Sequence, residues 1–194
     1  MKKRRRSKKT KPIGKAVYLL ILAGIIVAAL LLFQKEISNI LRPRFVKEHL
    51  PFERREVLLY FSDFQEGYLV GEKRKILKKG DVKEEAKEAI NELIKGPKGK
   101  LIPTVPSKTK LLALQLDEKG VAKVNFNKAL SQDHPGGSSA EMMTVYSIVN
   151  SLVLNFPQIK GVKILIDGEV AETIAGHLSL DQPISSKPDL IKKR

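Results

Sequence analysis

The sequence contains no cysteine, no tryptophan and few other aromatic residues. Without cysteine the protein can form no disulfide and offers no thiolate nucleophile or metal ligand, and its redox compartment is left open. Phenylalanine, tyrosine and tryptophan together make up 6% of the residues, which leaves little material for a carbohydrate site built from stacked aromatic rings. These absences exclude a disulfide-stapled domain and weigh against an aromatic glycan platform.

Acidic residues are absent from the first fifteen positions, which carry nine lysines and arginines. This basic arm supplies more than half of the formal net charge of +15. Nucleic-acid binding is one interpretation, because lysine and arginine clusters neutralise phosphates. The apolar run that follows the arm favours attraction to anionic lipid headgroups instead. We therefore expect a membrane, and no nucleic acid, as the partner of the arm.

Charged and strongly polar side chains are absent from Ala16 to Phe33. As a helix this run would span about 27 Å, close to the thickness of a bilayer core. A secretory signal peptide would have a shorter apolar region and a small-residue exit, whereas this run ends Leu-Leu-Leu-Phe-Gln-Lys-Glu. The sequence predicts an uncleaved transmembrane helix at 16–33, with residues 1–15 in the cytoplasm and the remainder outside the cell membrane.

Three further segments follow the predicted span. Residues 34–55 mix both charges with Pro43 and Pro51 and show no sustained period, which is typical of a juxtamembrane stalk. Residues 56–184 contain regular apolar patterns and are predicted to form one extracytoplasmic domain. Residues 185–194 are polar and basic, and we expect a disordered tail.

Strand and helix patterns alternate within the predicted domain. Dense or alternating apolar residues predict strands at 56–61, 68–77, 110–116, 121–126 and 162–166. Capping signatures, Asp81 with Glu84 and Ser138 with Glu141, start two helices, which Gly96 and Pro157 end. This order predicts an α+β fold in which two helices pack on one face of a small mixed β-sheet, preceded by one transmembrane helix.

Alternation also assigns faces to the hairpin predicted at 110–126. Leu112, Leu114 and Leu116 fall on one face of its first strand and are expected to meet the core. The opposite face, which includes Gln115 and Lys123, is expected to meet water or a partner.

The second helix differs from the first because it carries no charge between Met142 and Lys160. Its polarity is confined to an uncharged stripe at helical spacing, formed by Thr144, Ser147, Ser151 and Asn155. Either the helix is buried centrally within the fold, or the stripe meets another protein subunit, since small hydroxyl and amide groups cost less to desolvate than charges. The four stripe residues are the candidate protein interface.

No catalytic, cofactor or metal motif is evident. The histidines His49, His134 and His177 lie far apart, and none has a second ligand at helical spacing. Asp133, His134 and Ser138 supply the residue types of a nucleophilic triad, but the cap and its preceding glycine turn already explain them. A hydrolase is therefore the weakest hypothesis, and the protein is predicted not to be an enzyme.

Several segments in order resemble the GerMN domain, a family of sporulation and spore germination proteins. The resemblance runs from about Val57 to Pro183 and is carried by Tyr60-Phe61-Ser62-Asp63, Leu69-Val70, Arg74, Leu93-Ile94-Lys95-Gly96-Pro97, Leu101-Ile102-Pro103 with Val105-Pro106, Gly120 to Phe126, Gly137 to Glu141, Tyr146 to Leu152, Val162 to Gly168, and Ala175-Gly176-His177. The chain carries one such domain.

The resemblance implies a non-enzymatic extracytoplasmic domain similar to the ring-building motifs of secretion and sporulation assemblies. The leading hypothesis is a membrane-anchored scaffold or interaction protein of the bacterial cell envelope, with protein partners or self-association and a sporulation-associated ring or channel complex as its setting. The alternative is a binding module for cell-wall glycan or a small envelope ligand, with the loops Asp63 to Gly67 and Asp133 to Gly137 as its binding elements.

Overall fold

The computed structural model describes residues 13–40, 53–63 and 67–193. They belong to two units of the chain, Met1–Leu50 and Pro51–Arg194. Residues 1–12 of the predicted basic arm and residues 41–52 of the predicted stalk lie outside the described residues.

The described part of the first unit is one helix, α1 (Ile13–Ile40). The large apolar side chains described along it, from Val17 to Phe33, are all exposed. The helix continues through residues 34–40, which were predicted to begin the stalk, because this stretch has no glycine or proline to stop it. In the described parts of the chain no helix combines the length and the apolar character that a membrane crossing requires.

The second unit alternates strands and helices as its sequence predicts, which confirms the α+β class. Its elements are β1 (Arg54–Ser62), β2 (Leu69–Leu77), α2 (Val82–Ile94), β3 (Leu111–Leu116), β4 (Val121–Phe126), α3 (Ala129–Gln132), α4 (Ser138–Val153), β5 (Gly161–Ile166), β6 (Glu169–Val170) and a 3₁₀ turn at Pro188–Leu190.

The strands form two sheets where one was predicted. β1 and β2 make an antiparallel hairpin, and the other strands make a four-stranded sheet in the order β3-β4-β5-β6, in which β4 and β5 run parallel. The helices α2 and α4 pack against each other, and each contacts strands of both sheets. The prediction that both helices lie on one face of a single sheet is therefore wrong. The free edge of β1 is occupied by α4 and by Ile102, so β1 cannot join the larger sheet.

The start of α2 follows the sequence prediction in part. The Asp81 side chain accepts a hydrogen bond from the Lys83 amide at 2.9 Å, which confirms the N-cap. Glu84, the other half of the predicted capping box, pairs with Lys87 instead. Four side chains of the helix point into the main core, namely Ala86, Ala89, Ile90 and Leu93.

The prediction of the core-facing side of β3 is wrong at Leu112. Leu114 is buried as expected, but Leu112 is 52% exposed. The pairing register of β3 against β4 shifts between Leu111 and Ala113. Such a bulge inserts an extra residue and turns its side chain away from the face that alternation assigns to it.

The C-terminal residues form an ordered strap, defined here as residues 184–193. Ile184 exchanges two backbone hydrogen bonds with Val162 of β5, and Lys192 donates its amide to the Leu69 carbonyl of β2. Leu190 and Ile191 pack on a small cluster formed by Tyr60, Leu69 and Met143. The prediction of a disordered tail is therefore wrong for 185–193, because these two apolar side chains and the strand edges beside them give the segment something to bind. Arg194 lies outside the described residues.

Candidate functional site

The predicted interface stripe lies on α4 and its end, and the structure places it inside the domain. Thr144, Ser147 and Ser151 have relative exposures of 2%, 0% and 0%. Asn155 is partly buried just beyond the end of the helix. Burial of this kind closes these side chains to a partner protein.

Two stripe residues bind the free edge of β1. The Asn155 side chain accepts from the Leu58 amide at 2.8 Å and donates to the Leu58 carbonyl at 2.7 Å. Four residues earlier, the Ser151 hydroxyl accepts from the Tyr60 amide at 3.1 Å. These side chains therefore stand where a neighbouring strand would pair with β1.

The other two stripe residues bind the loop that follows α2. The Thr104 hydroxyl donates to the Ser147 hydroxyl at 2.7 Å, and the Thr144 hydroxyl lies 2.5 Å from the Thr104 carbonyl, to which it donates. All four candidates therefore make intramolecular contacts. Of the two alternatives left open by the sequence, burial within the fold is the one found, and the assignment of the stripe as a protein interface is corrected.

The strap covers a different side of α4. The Asn150 side chain accepts from the Lys187 amide at 2.9 Å and donates to the Lys187 carbonyl at 3.3 Å. The Lys187 ammonium lies 5.6 Å from the centroid of the Tyr146 ring. With β1 on one side and the strap on another, α4 has little surface left for charged residues, which explains its uncharged sequence.

The triad hypothesis finds no supporting geometry. The Gly136 amide donates to His134 Nδ1 at 3.0 Å, so the proton of the neutral ring is on Nε2, which faces the Thr144 hydroxyl at 3.0 Å. Burial lowers the pKa of His134, which favours this neutral form. Ser138 is exposed, and Asp133 lies 3.5 Å from the Lys108 ammonium. Among the described residues no hydrogen bond joins His134 to either of them.

Glu141, predicted to cap α4, instead organises a distant loop. The N-cap is Gly137 and makes no side-chain cap. The Glu141 side chain is fully buried. Its carboxylate accepts from the Thr173 hydroxyl at 2.5 Å. It also accepts from four backbone amides at 2.7 to 3.3 Å, those of Ile174, Ala175, His177 and Leu178.

The hydrogen bonds to Glu141 also fix its ionisation. Burial alone would raise the pKa of this carboxyl. The hydrogen bonds from Thr173 and from the amides of Ala175, His177 and Ile174 outweigh burial and lower the pKa from 4.5 to about 2. Glu141 is thus ionised at neutral pH, and the protein supplies the hydrogen-bond donors that stabilise its carboxylate. The local sequence S-x-x-E resembles a cap and gave no signal of this role.

Arg74 holds a second buried charge cluster. Its side chain is 3% exposed. It donates to Glu72 at 2.7 Å, to Glu92 at 3.3 Å and to the Gly96 carbonyl at 2.8 Å. It therefore joins β2 to the end of α2, which is a structural role.

A groove of about 480 Å³ lies beside the start of α4. Both loops proposed for the binding-module alternative contribute to its lining, the first through Gly67 and the second through Asp133 and Pro135. Residues 64–66 of the first loop lie outside the described residues. The remaining lining is mostly apolar and includes Ile102. The structure therefore brings together the two predicted loops. No cluster of three or more potential metal ligands occurs in the described residues.

Most of the second unit matches a known protein family. The family model Germane, described as sporulation and spore germination, matches residues 58–172. No curated protein is significantly similar to the chain.

Solved structures share the fold. A protein of Clostridium perfringens described as a candidate lipoprotein is 26% identical, with a TM-score of 0.51, over 72% of this chain and 93% of that one. The first GerMN domain of the sporulation protein GerM from Bacillus subtilis is 19% identical, with a TM-score of 0.53, over 70% of this chain and 99% of that one. The tandem GerMN domains of the same protein align over 71% of this chain and 48% of their own length, with the same TM-score and identity.

Proposed function

Since the chain belongs to the Germane family of sporulation and spore germination domains, we propose that it is a membrane-anchored, non-catalytic scaffold protein of the bacterial cell envelope that binds other proteins. Family membership supports the sporulation setting. A place in a sporulation-associated ring or channel complex is what the resemblance to GerMN domains implies, and the chain shares the fold of the GerMN domains of the sporulation protein GerM. The observation that supports the non-catalytic role is that His134 hydrogen-bonds Gly136 and Thr144 within the domain and joins neither Asp133 nor Ser138 among the described residues.

Membrane attachment through the first unit is part of the proposal. The apolar side chains described along α1 are exposed, and apolar surface of this extent calls for a cover of lipid or protein. The basic arm before it favours a cytoplasmic N-terminus. We expect the full chain to stay with the membrane after alkaline carbonate extraction, and external protease to digest the second unit in spheroplasts. Release by carbonate, or protection of the second unit, would contradict this topology.

The exposed edge of the four-stranded sheet is the proposed protein-binding surface. β3 ends the sheet on one side, so among the described residues its outward backbone groups have no neighbouring strand. The bulge places Leu112 on the surface beside this edge. An open strand edge with an exposed leucine fits a partner that adds a strand or packs an apolar side chain.

Crosslinking in native membranes tests this surface. We expect the wild-type chain to capture a defined envelope protein, and Leu112→Asp to lose that partner while keeping the fold. Val170→Asp is the matched control, because Val170 has a similar exposure of 53% and lies on the opposite edge strand, β6. Equal capture by both variants would remove β3 from the proposal.

The groove beside α4 supports a second candidate function, binding of cell-wall glycan or a small envelope ligand. The convergence of the two predicted loops on one concave site is the observation in its favour. Ser139 lines the groove, whereas its exposed neighbour Ser138 does not. If the groove binds glycan, Ser139→Trp will abolish retention on purified peptidoglycan and Ser138→Trp will retain it. No retention of the wild-type protein would exclude glycan as the ligand.

A further inference from the structure

The strap behaves as a ligand of the domain to which it belongs. It binds at three separate places: at Val162 through two backbone bonds, at Asn150 through a two-bond side-chain amide contact with Lys187, and at Leu69 through a backbone bond from Lys192. These contacts are strand pairing and amide recognition, the same kinds that hold extended peptides on protein surfaces. None of them requires that the strap belong to the same chain.

The surface beneath the strap is unlike ordinary protein exterior. We define the strap groove by Tyr60, Leu69, Met143, Tyr146 and Asn150. Tyr60, Leu69 and Met143 form an apolar cluster that Leu190 and Ile191 close. Asn150 is fully buried, and its side-chain oxygen and nitrogen each make one hydrogen bond with the strap backbone. Without the strap, the apolar cluster would face water and the Asn150 side chain would lose both of these hydrogen bonds.

A short joint, Ser185 and Ser186, lies within the strap. Ile184 is fixed to β5, and Lys187 is fixed to α4. Ser185 between them is exposed. The strap also lies beyond residue 172, where the family match ends. Rotation at Ser185 and Ser186 would therefore release residues 187–193 while leaving the family domain intact.

From these observations we propose that the strap of a second copy of this chain docks in the strap groove. Exchange of residues 187–193 would reproduce their contacts with Asn150, Leu69 and the apolar cluster between two copies, so it adds an interface without new chemistry. Copies held in one membrane would meet at raised local concentration, which favours exchange. This proposal rests on the scaffold function and names a second copy as one of its partners.

Disulfide trapping tests the exchange, and the absence of native cysteine makes it specific. Leu69 and Ile191 are bridge partners. Two full-length copies with different tags, one Leu69→Cys and one Ile191→Cys, are co-produced and oxidised in their native membrane. We expect a covalent dimer that carries both tags. Replacing Ile191→Cys with Asp189→Cys, two residues earlier on an exposed position of the strap, should remove that dimer.

An internal link would overturn the proposal. If the double variant Leu69→Cys, Ile191→Cys yields only an internally linked monomer and the mixed single variants yield no dimer, the strap serves its own chain alone. Should Leu69→Cys disturb folding, Tyr146→Cys with Lys187→Cys and a thiol-reactive crosslinker report on the same docking, since the Lys187 ammonium lies 5.6 Å from the centroid of the Tyr146 ring. Capture of a partner protein at Leu112 does not involve the strap. The crosslinking test of the β3 surface can therefore give a positive result even if strap exchange does not occur.

Discussion

Glu141 carries a charge that the protein solvates entirely from within. A carboxylate without water is stable only if hydrogen-bond donors replace its hydration shell. The loop at 173–178 provides one hydroxyl and four amides, and the His177 ring stands 3.3 Å away. The loop in turn has no regular secondary structure of its own and takes its shape from this single acceptor. Glu141 therefore links α4 to the segment that leads into the strap.

Acid should weaken the domain through Glu141. Its pKa is lower in the folded protein, about 2, than the ordinary value of 4.5. The resulting stabilisation is present above pH 4.5 and is lost as the pH falls through about 2. The shift corresponds to about 3 kcal/mol. We expect Glu141→Gln to lower the free energy of unfolding at pH 7 by about that amount and to flatten its decline between pH 5 and 2, measured by urea denaturation.

The matched control for this prediction is Glu118→Gln, in the exposed turn between β3 and β4. It should change the free energy of unfolding by less than about 0.5 kcal/mol. If Glu141→Gln unfolds at the same urea concentration as the wild type at pH 7, the carboxylate does not hold the loop.

Local and distant partners decide which residue roles can be predicted. Asp81 caps the helix that begins at the next residue, so sequence spacing finds its role. Glu141 stands in the same spacing after Ser138, but its donors come from residues more than thirty positions later. The local sequence pattern cannot distinguish these two roles, because the contacts of Glu141 depend on a distant loop whose position the sequence alone does not give.

The pairing of α4 with β1 depends on matching repeats. One helical step of four residues rises about 6 Å, and two strand residues span about 6.6 Å. Ser151 and Asn155 therefore meet Tyr60 and Leu58 in succession. Arg55 strengthens the junction by donating to Glu85 of α2 at 2.9 Å and to the Asn155 carbonyl at 2.8 Å. A helix thus closes a strand edge that would otherwise be open to aggregation.

Removing one hydroxyl from this junction should be costly. In Ser151→Ala the buried Tyr60 amide loses its acceptor, and we expect the free energy of unfolding to fall by about 1–3 kcal/mol. Hydrogen exchange at the Tyr60 amide should accelerate as well. Ser139→Ala lies on an exposed position of the same helix and should leave both measurements near the wild-type values. Equal effects of the two variants would mean that helix propensity, and not the junction, sets the cost.

Element positions were largely predictable from the sequence, whereas their surroundings were not. Alternation located β3 and β4, because it depends only on neighbouring residues. It could not locate the bulge that exposes Leu112, since a bulge depends on the register against a second strand. The same limit applies to the four stripe residues of α4. Their spacing was correct, but the partner was a strand edge and a loop of the same domain.

At the scale of the whole domain, the prediction of a disordered tail hid part of what surrounds α4. The sequence left open whether the uncharged helix is buried centrally or meets another subunit through its stripe. The structure covers the stripe with β1 and with the loop that follows α2, and it covers another side of the helix with the strap, through Lys187 on Asn150 and Tyr146. Composition predicts order poorly here because residues 185–193 contain only two large apolar side chains, Leu190 and Ile191. The stabilisation that these two give depends on the cluster they contact.

Loosening the strap should therefore expose the strap groove without unfolding the domain. In Ile191→Asp a charge replaces a side chain that closes the cluster of Tyr60, Leu69 and Met143. We expect faster hydrogen exchange at the amides of Lys187 and Lys192, which donate to Asn150 and Leu69, while the amide of Tyr60 stays protected. Asp189→Asn, on an exposed strap position, should leave all three unchanged. If Tyr60 exchanges as fast as Lys192 in Ile191→Asp, the strap is an integral part of the core and cannot act as a separable ligand.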